Sequence, residues 1–188
     1  MKYLLFLMFS VATLLPNCKK EHIIIKTPEP IDTTLQHITE LGIGTVVRNG
    51  IDWPVEFLAY YYGTSGKSSF QIRAKKIYPN SGLSESLFIQ DIRSQSGFYK
   101  IQGWRLSNFG NKIPEAAYTM SNYDEGIGNF FPDTTRTSNF IEVLRFDTLA
   151  NEVEGRFQVF MGKNGDLPVP GVPDSVFLTE GKFYLKLQ

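Results

Sequence analysis

The sequence feature that most constrains the fold is a strict two-residue alternation of apolar and polar side chains. It is clearest at residues 70–75, 153–159 and 183–188. Successive side chains of a strand point to opposite faces, so this period buries one face of a sheet and leaves the other in water. A sustained helical stripe is absent from the sequence pattern. The alternation therefore predicts an antiparallel, all-β fold.

Turn signals divide the chain into further strands. Asn49-Gly50 favours a type I′ hairpin, in which both central residues need positive φ. Gly181 is predicted to take positive φ in a final hairpin, and residues 162–173 are predicted to form a surface loop. We expect a β-sandwich of about nine or ten strands, with a small closed β-barrel as the alternative. The remaining strand candidates are residues 45–48, 55–62, 87–92, 98–104, 117–123, 140–147 and 174–179.

The first residues have the pattern of an export signal. Lys2 precedes an apolar run over residues 3–15. This run is shorter than the roughly 20 residues that a permanent transmembrane helix needs, so it is typical of a secretory signal. We predict a signal peptide over residues 1–17, a lipidated Cys with a flexible tether over 18–41, and one β domain over 42–188.

The end of this signal carries a lipidation motif. Leu15-Pro16-Asn17-Cys18 resembles the lipobox of bacterial lipoproteins. The resemblance implies cleavage before Cys18, a diacylglyceryl group on its thiol and an acyl group on its new amine. Cys18 is the only cysteine, so an intramolecular disulfide is impossible. Several acyl chains on one residue anchor a protein stably, which predicts an outer-membrane protein on the periplasmic or the surface face.

Three separated segments resemble one family of secreted lipoproteins from Bacteroidetes-type bacteria, a family without an assigned function. The first segment is a Gly-containing strand that ends in the Asn49-Gly50 hairpin and is followed by Trp53. The others contain Glu-Gly-Arg-Phe at residues 154–157 and Glu-Gly-Lys-Phe at residues 180–183. The resemblance implies an all-β fold and an exported, lipid-anchored protein, and it implies no activity.

Charge and histidine content bear on whole classes of function. The chain has 19 basic and 19 acidic side chains, so its formal net charge is zero. A protein that binds nucleic acid needs a basic surface, so we predict no nucleic-acid partner. Its two histidines, His22 and His37, both fall in the predicted tether. Catalysis by a His-activated nucleophile and a His-rich metal site are therefore not expected. We predict no cofactor, no metal and no enzymatic activity.

Two alternatives to a binding role remain at the level of sequence. A glycan hydrolase needs only two carboxyl groups, and Asp124, Glu125, Asp133 and Glu142 lie near one another in the sequence. The strand count also permits a lipocalin-like carrier of an apolar ligand. Chance places carboxylates close together in most soluble chains, so we interpret these four as solvated loop charges.

Aromatic residues supply the main functional signal, since Phe, Tyr and Trp make up 14% of the chain. If Phe57, Ala59 and Tyr61 face the core, then Tyr60 and Tyr62 share the outer face of their strand. Flat exposed rings suit stacking on a sugar or anchoring of a protein partner. The sequence thus predicts a lipid-anchored envelope protein with a non-catalytic binding or assembly role and a glycan or envelope protein as partner. Loop-proximal rings that extend the platform are predicted at Trp53, Trp104, Phe130 and Phe131.

Overall fold

A computed structural model describes residues 42–61, 67–103, 113–165 and 168–188. The predicted signal peptide and tether, and with them Cys18, lie outside these described residues. Tyr62 and Trp104 lie outside them as well.

The described chain consists of strands joined by turns and loops, which confirms the all-β prediction. Every named pair of strands is antiparallel. Across the described ranges, no helix has the length and apolar character needed to cross a bilayer. The strands are β1 Ile43–Arg48, β2 Ile51–Asp52, β3 Glu56–Tyr61, β4 Ser69–Ile77, β5 Leu83–Arg93, β6 Gly97–Lys100, β7 Glu115–Asn122, β8 Glu125–Pro132, β9 Phe140–Asp147, β10 Glu152–Asn164 and β11 Ser175–Lys186.

All eleven strands belong to one sheet, and nine of them follow one another in the order β2-β1-β11-β10-β8-β7-β5-β4-β3. The long strand β10 pairs with β9 along its first half and with β8 along its second, and β6 pairs with β9. The sheet curls until β3 reaches the end of β11, where Gln188 N donates to Ala59 O over 3.1 Å. The fold is therefore a continuous curled sheet, which is nearer to the barrel alternative than to two separate sheets.

The Asn-Gly hairpin forms where the sequence predicts it. Asn49 has a φ of 50° and Gly50 a φ of 81°, the two positive values that a type I′ turn needs. The turn places Arg48 opposite Ile51 and joins β1 to β2.

Strand β8 was not predicted, because its inward positions hide the alternation. Gly128, Phe130 and Pro132 are the buried residues of its second half, whereas the residues between them are more exposed. Gly and Pro are depleted in strands, so a strand with both at inward positions is easily taken for a loop. The sequence pattern accordingly predicts a loop-rich segment here, and the structure corrects this to a strand.

The predicted final hairpin does not exist, and the expected positive φ at Gly181 is wrong. Strand β11 continues through this position with a bulge, and Glu180 takes the positive φ of 54° instead. Gly181 serves a different purpose, because a Cβ there would lie 2.6 Å from ring carbons of Phe157. The glycine allows the core ring to pack directly against the backbone of β11.

Gly181→Ala should lower the free energy of unfolding by about 1–3 kcal/mol, since the added methyl group overpacks the core. Denaturant unfolding of the full chain measures the change. Gly162→Ala is the matched control, because a Cβ at Gly162 meets nothing within 4 Å and should change stability by less than about 0.5 kcal/mol. Equal losses in the two variants would contradict the packing explanation.

The inside of the curl is filled by large side chains. The fully buried rings come from strands all around the sheet and belong to one hydrophobic core. These rings belong to Phe57, Phe70, Tyr118, Phe130, Phe157 and Phe183.

Candidate functional site

Tyr60, one of the two rings of the predicted tyrosine platform, lies on β3. Phe57 and Ala59 are buried and Tyr61 packs against the core, as the alternation predicts. Tyr60 projects to the opposite face, where it is half-buried beside its partner Gln71 of β4. Because Tyr62 lies outside the described residues, the pair of rings remains a prediction.

Trp53 does not belong to an exposed platform, which corrects the prediction for this residue. Its side chain is only 3% exposed, and its indole Nε1 donates a 2.8 Å hydrogen bond to Glu85 Oε2. The Trp53 ring packs 5.5 Å from that of Tyr118. The connection between β2 and β3 thus turns the indole inward, onto an acceptor that sequence reasoning did not identify. Phe130 is also fully buried and leaves the platform.

Glu85 is the centre of this buried polar cluster and is 1% exposed. Arg48 Nη1 lies 2.5 Å from Glu85 Oε1, and the Tyr78 hydroxyl donates to Oε2 over 3.0 Å. Together with Trp53, the carboxylate accepts hydrogen bonds from three side chains. A buried charge needs this degree of pairing to be tolerated.

Tyr118 completes the cluster by accepting a 2.8 Å hydrogen bond from Arg48 Nη1. Burial, and next the nearby Glu85 carboxylate, raise the pKa of the Tyr118 phenol well above its ordinary value. The phenol therefore stays neutral across the physiological pH range. Because Glu85 has almost no exposed surface, we assign the cluster a structural role that joins β1, β5 and β7.

A different region of the molecule offers an accessible site. An open groove of about 520 Å³ lies on the outer face of β8, β10 and β11. Gly162 of β10 forms its floor, with Phe131 and Ser175 as its partners on the two neighbouring strands. A Cβ on Gly162 would meet nothing within 4 Å, so the missing side chain leaves open space between the strands.

Two phenylalanines of this groove stand at one end of the floor. Phe160 and Phe177 are register partners, with ring centroids 5.3 Å apart and ring planes at 55°. The guanidinium of Arg136 lies 5.0 Å from the Phe160 ring and 5.8 Å from the Phe177 ring. This arrangement is a cation–π contact to both rings.

The loop that carries Arg136 is fastened to β10. Asp133 N donates to Phe160 O over 2.9 Å, and Phe160 N donates to Asn139 Oδ1 over 2.8 Å. The buried Asn139 amide also donates to Asp133 O over 2.9 Å. These hydrogen bonds fix the loop at Asp133 and Asn139, on either side of Arg136, and so position the Arg136 backbone next to the rings.

Asp133 contributes the carboxylate of the groove. It accepts hydrogen bonds from Thr135 Oγ1 over 2.6 Å, from Thr135 N over 3.0 Å and from Arg136 Nε over 3.3 Å. The bonds from Thr135 are the main cause that lowers the pKa of Asp133, and Arg136 adds to the effect. The carboxylate is therefore ionised at neutral pH.

The groove brings together few of the residues that the sequence singled out. Phe131 and Asp133 line it, whereas Glu142 pairs with Arg156 on β10 over 2.6 Å. Phe160 and Phe177 were missed, although each interrupts the alternation with an aromatic residue where an outward polar one is expected. The described residues contain no group of three or more His, Cys, Asp or Glu side chains that could hold a metal ion.

Fold and groove together define a curled antiparallel β protein with an aromatic cleft on its outer face. Comparison of the chain with protein-family models, curated proteins and solved structures finds no match. The functional argument therefore depends on the geometry of the groove and on the sequence.

Proposed function

We propose that the protein is a lipid-anchored component of the cell envelope that binds a ligand in its outer groove without catalysis. The observation that carries the proposal is the row of aromatic side chains on the water-facing side of the sheet. Phe177 is 36% exposed, and Phe131 and Phe160 are half-buried beside it. Single exposed rings are ordinary, but a group of them lining a cleft with polar neighbours is typical of a recognition site.

The filled interior favours this groove over an internal site. A carrier of an apolar ligand needs free volume inside the curl, where the described strands place fully buried rings such as Phe70 and Phe183. The groove, in contrast, is open to solvent and needs no rearrangement of the core to admit a ligand.

The chemistry of the groove favours binding over hydrolysis. Asp133 is the single carboxylate among the described residues that line it. A glycosidase of the common type needs a second carboxyl group, kept protonated by a raised pKa, to act as general acid. Asp133 has a lowered pKa and is held by Thr135. It is therefore an ionised acceptor that positions Arg136, and it is not a general acid.

Filling the groove should weaken binding by about tenfold or more. In Gly162→Phe the new Cβ meets nothing within 4 Å, so we expect the ring to enter the open groove and the fold to persist. A glycan array is probed with the full chain in detergent, and wild type should retain its signals. In the variant we expect the affinity for these glycans to fall by about tenfold or more, equivalent to about 1.4 kcal/mol.

Gly126→Phe is the matched control, since a Cβ on Gly126 also meets nothing within 4 Å and the residue does not line the groove. It should bind like wild type. Unchanged binding by Gly162→Phe, or an equal loss in both variants, would refute the groove as the site.

A further inference from the structure

The groove contains a cationic group with unused hydrogen-bonding capacity. The Arg136 side chain is 49% exposed, and its hydrogen bond within the described residues runs from Nε to Asp133. Both terminal nitrogens of the guanidinium are left for a ligand. A planar guanidinium offers two parallel N–H groups, which match the two oxygens of a carboxylate.

This cation is already in position before a ligand arrives. The contacts with the Phe160 and Phe177 rings and the hydrogen bond from Nε to Asp133 restrain the Arg136 guanidinium. A long side chain normally loses rotamer freedom on binding, and that cost is reduced when the free protein already holds it.

The terminal nitrogens of Arg136 are the part of the guanidinium that an anion can reach. Asp133 bonds to Arg136 at Nε and is also bonded to Thr135, so the charge of Asp133 is partly compensated within the loop. A ligand carboxylate that approaches the terminal nitrogens therefore meets charge-assisted donors.

The remainder of the lining resembles the two surfaces of a sugar. A pyranose ring has apolar C–H faces and a rim of hydroxyl groups. Gly162 and its register partner Phe131 offer an apolar floor that suits a C–H face, and the lining also includes polar side chains that can hydrogen-bond to the rim. These polar side chains are Thr134, Asn164 and Ser175.

We infer that the groove binds an acidic sugar, a pyranose whose carboxylate pairs with Arg136 while one C–H face lies on the floor at Gly162. The inference rests on the proposed function, in which the groove is the ligand site. It selects uronic-acid glycans as the ligand class, in preference to neutral glycans and to proteins.

Methyl esterification gives the sharpest test, because it removes the charge of a uronic acid and keeps the ring. We compare an oligogalacturonate and an oligoglucuronate with their fully methyl-esterified forms by calorimetry on the full chain in detergent. At least one acid should bind about tenfold or more tightly than its ester. Its affinity should also fall as the salt concentration rises.

Two arginine variants assign the discrimination to one side chain. Arg136→Gln should bind acid and ester equally, and Arg136→Lys should keep only part of the preference because it lacks the planar fork. Arg156→Gln is the control, since Arg156 pairs with Glu142 outside the groove and should keep the full preference. Thermal unfolding of each variant shows whether the fold is intact.

The comparison of acid with ester in wild type decides the inference without any variant. Equal affinities that Gly162→Phe abolishes would overturn the acidic ligand and leave the groove as a sugar site. An envelope protein that binds through the groove while neither sugar binds would also overturn it, in favour of a protein partner. Binding of the acids that Gly162→Phe does not affect would overturn the proposed function itself.

Discussion

Glu85→Ala is expected to lower the free energy of unfolding by about 3–5 kcal/mol, the usual cost of removing one partner of a buried ion pair. The change leaves the Arg48 guanidinium, the Trp53 indole N–H and the Tyr78 hydroxyl without their common acceptor. It also leaves a cavity beside Tyr118. Denaturant unfolding gives the free energy, and the emission of Trp53 should move to longer wavelength as water enters.

Glu142→Ala is the matched control for this prediction. Glu142 also pairs with an arginine, Arg156, over 2.6 Å, but on the surface, where the Arg156 side chain is 58% exposed. Exposed pairs contribute less than about 1 kcal/mol, so this variant should unfold nearly as wild type does. If the two variants lose equal stability, the Glu85 cluster is not the support that its contacts indicate.

Cys18→Ala should release the protein from the membrane entirely. The lipobox-like sequence that ends at Cys18 predicts several acyl chains on this residue, and each buried methylene contributes about 0.8 kcal/mol to membrane binding. Expressed in a host that processes lipoproteins, wild type should enter the detergent phase on phase separation, and Cys18→Ala should stay in the aqueous phase.

Mass spectrometry of the purified N-terminus checks the same prediction chemically, since it should show a mature chain that begins at acylated Cys18. Lys19→Ala is the control, because it changes the neighbouring charge and keeps the thiol. Equal partitioning of wild type and Cys18→Ala would exclude the lipid anchor and, with it, the proposed location in the envelope.

Local patterns were sufficient to predict most of the strands. The period of two over β4 and β10 depends only on which face of the strand each side chain takes, so neighbouring residues reveal it. The Asn49-Gly50 turn was predictable for the same reason, because positive φ at both positions is a property of the two residues themselves.

The local patterns gave wrong predictions at residues whose role depends on a contact with a distant segment of the chain. The local pattern at Gly181 predicts a turn, whereas the structure uses this glycine to make room for the Phe157 ring of the neighbouring strand. Gly128 makes β8 hard to recognise, because a glycine stands at an inward position where a strand normally has an apolar side chain. A Cβ added to Gly128 would lie 2.9 Å from Val172 Cγ1. In both cases a side chain from another segment occupies the space that a Cβ would need.

The period of the strands and the Asn49-Gly50 turn follow from local sequence, which also predicts lipid attachment at Cys18. Tertiary structure alone decided that Trp53 is buried and that Phe160, Phe177 and Arg136 share one groove. The physical reason is distance along the chain: Trp53 meets an acceptor 32 positions away, and the register of β10 with β11 brings Phe160 beside Phe177. Alternation assigns a side chain to a face, but only the pairing of distant strands decides what it meets there.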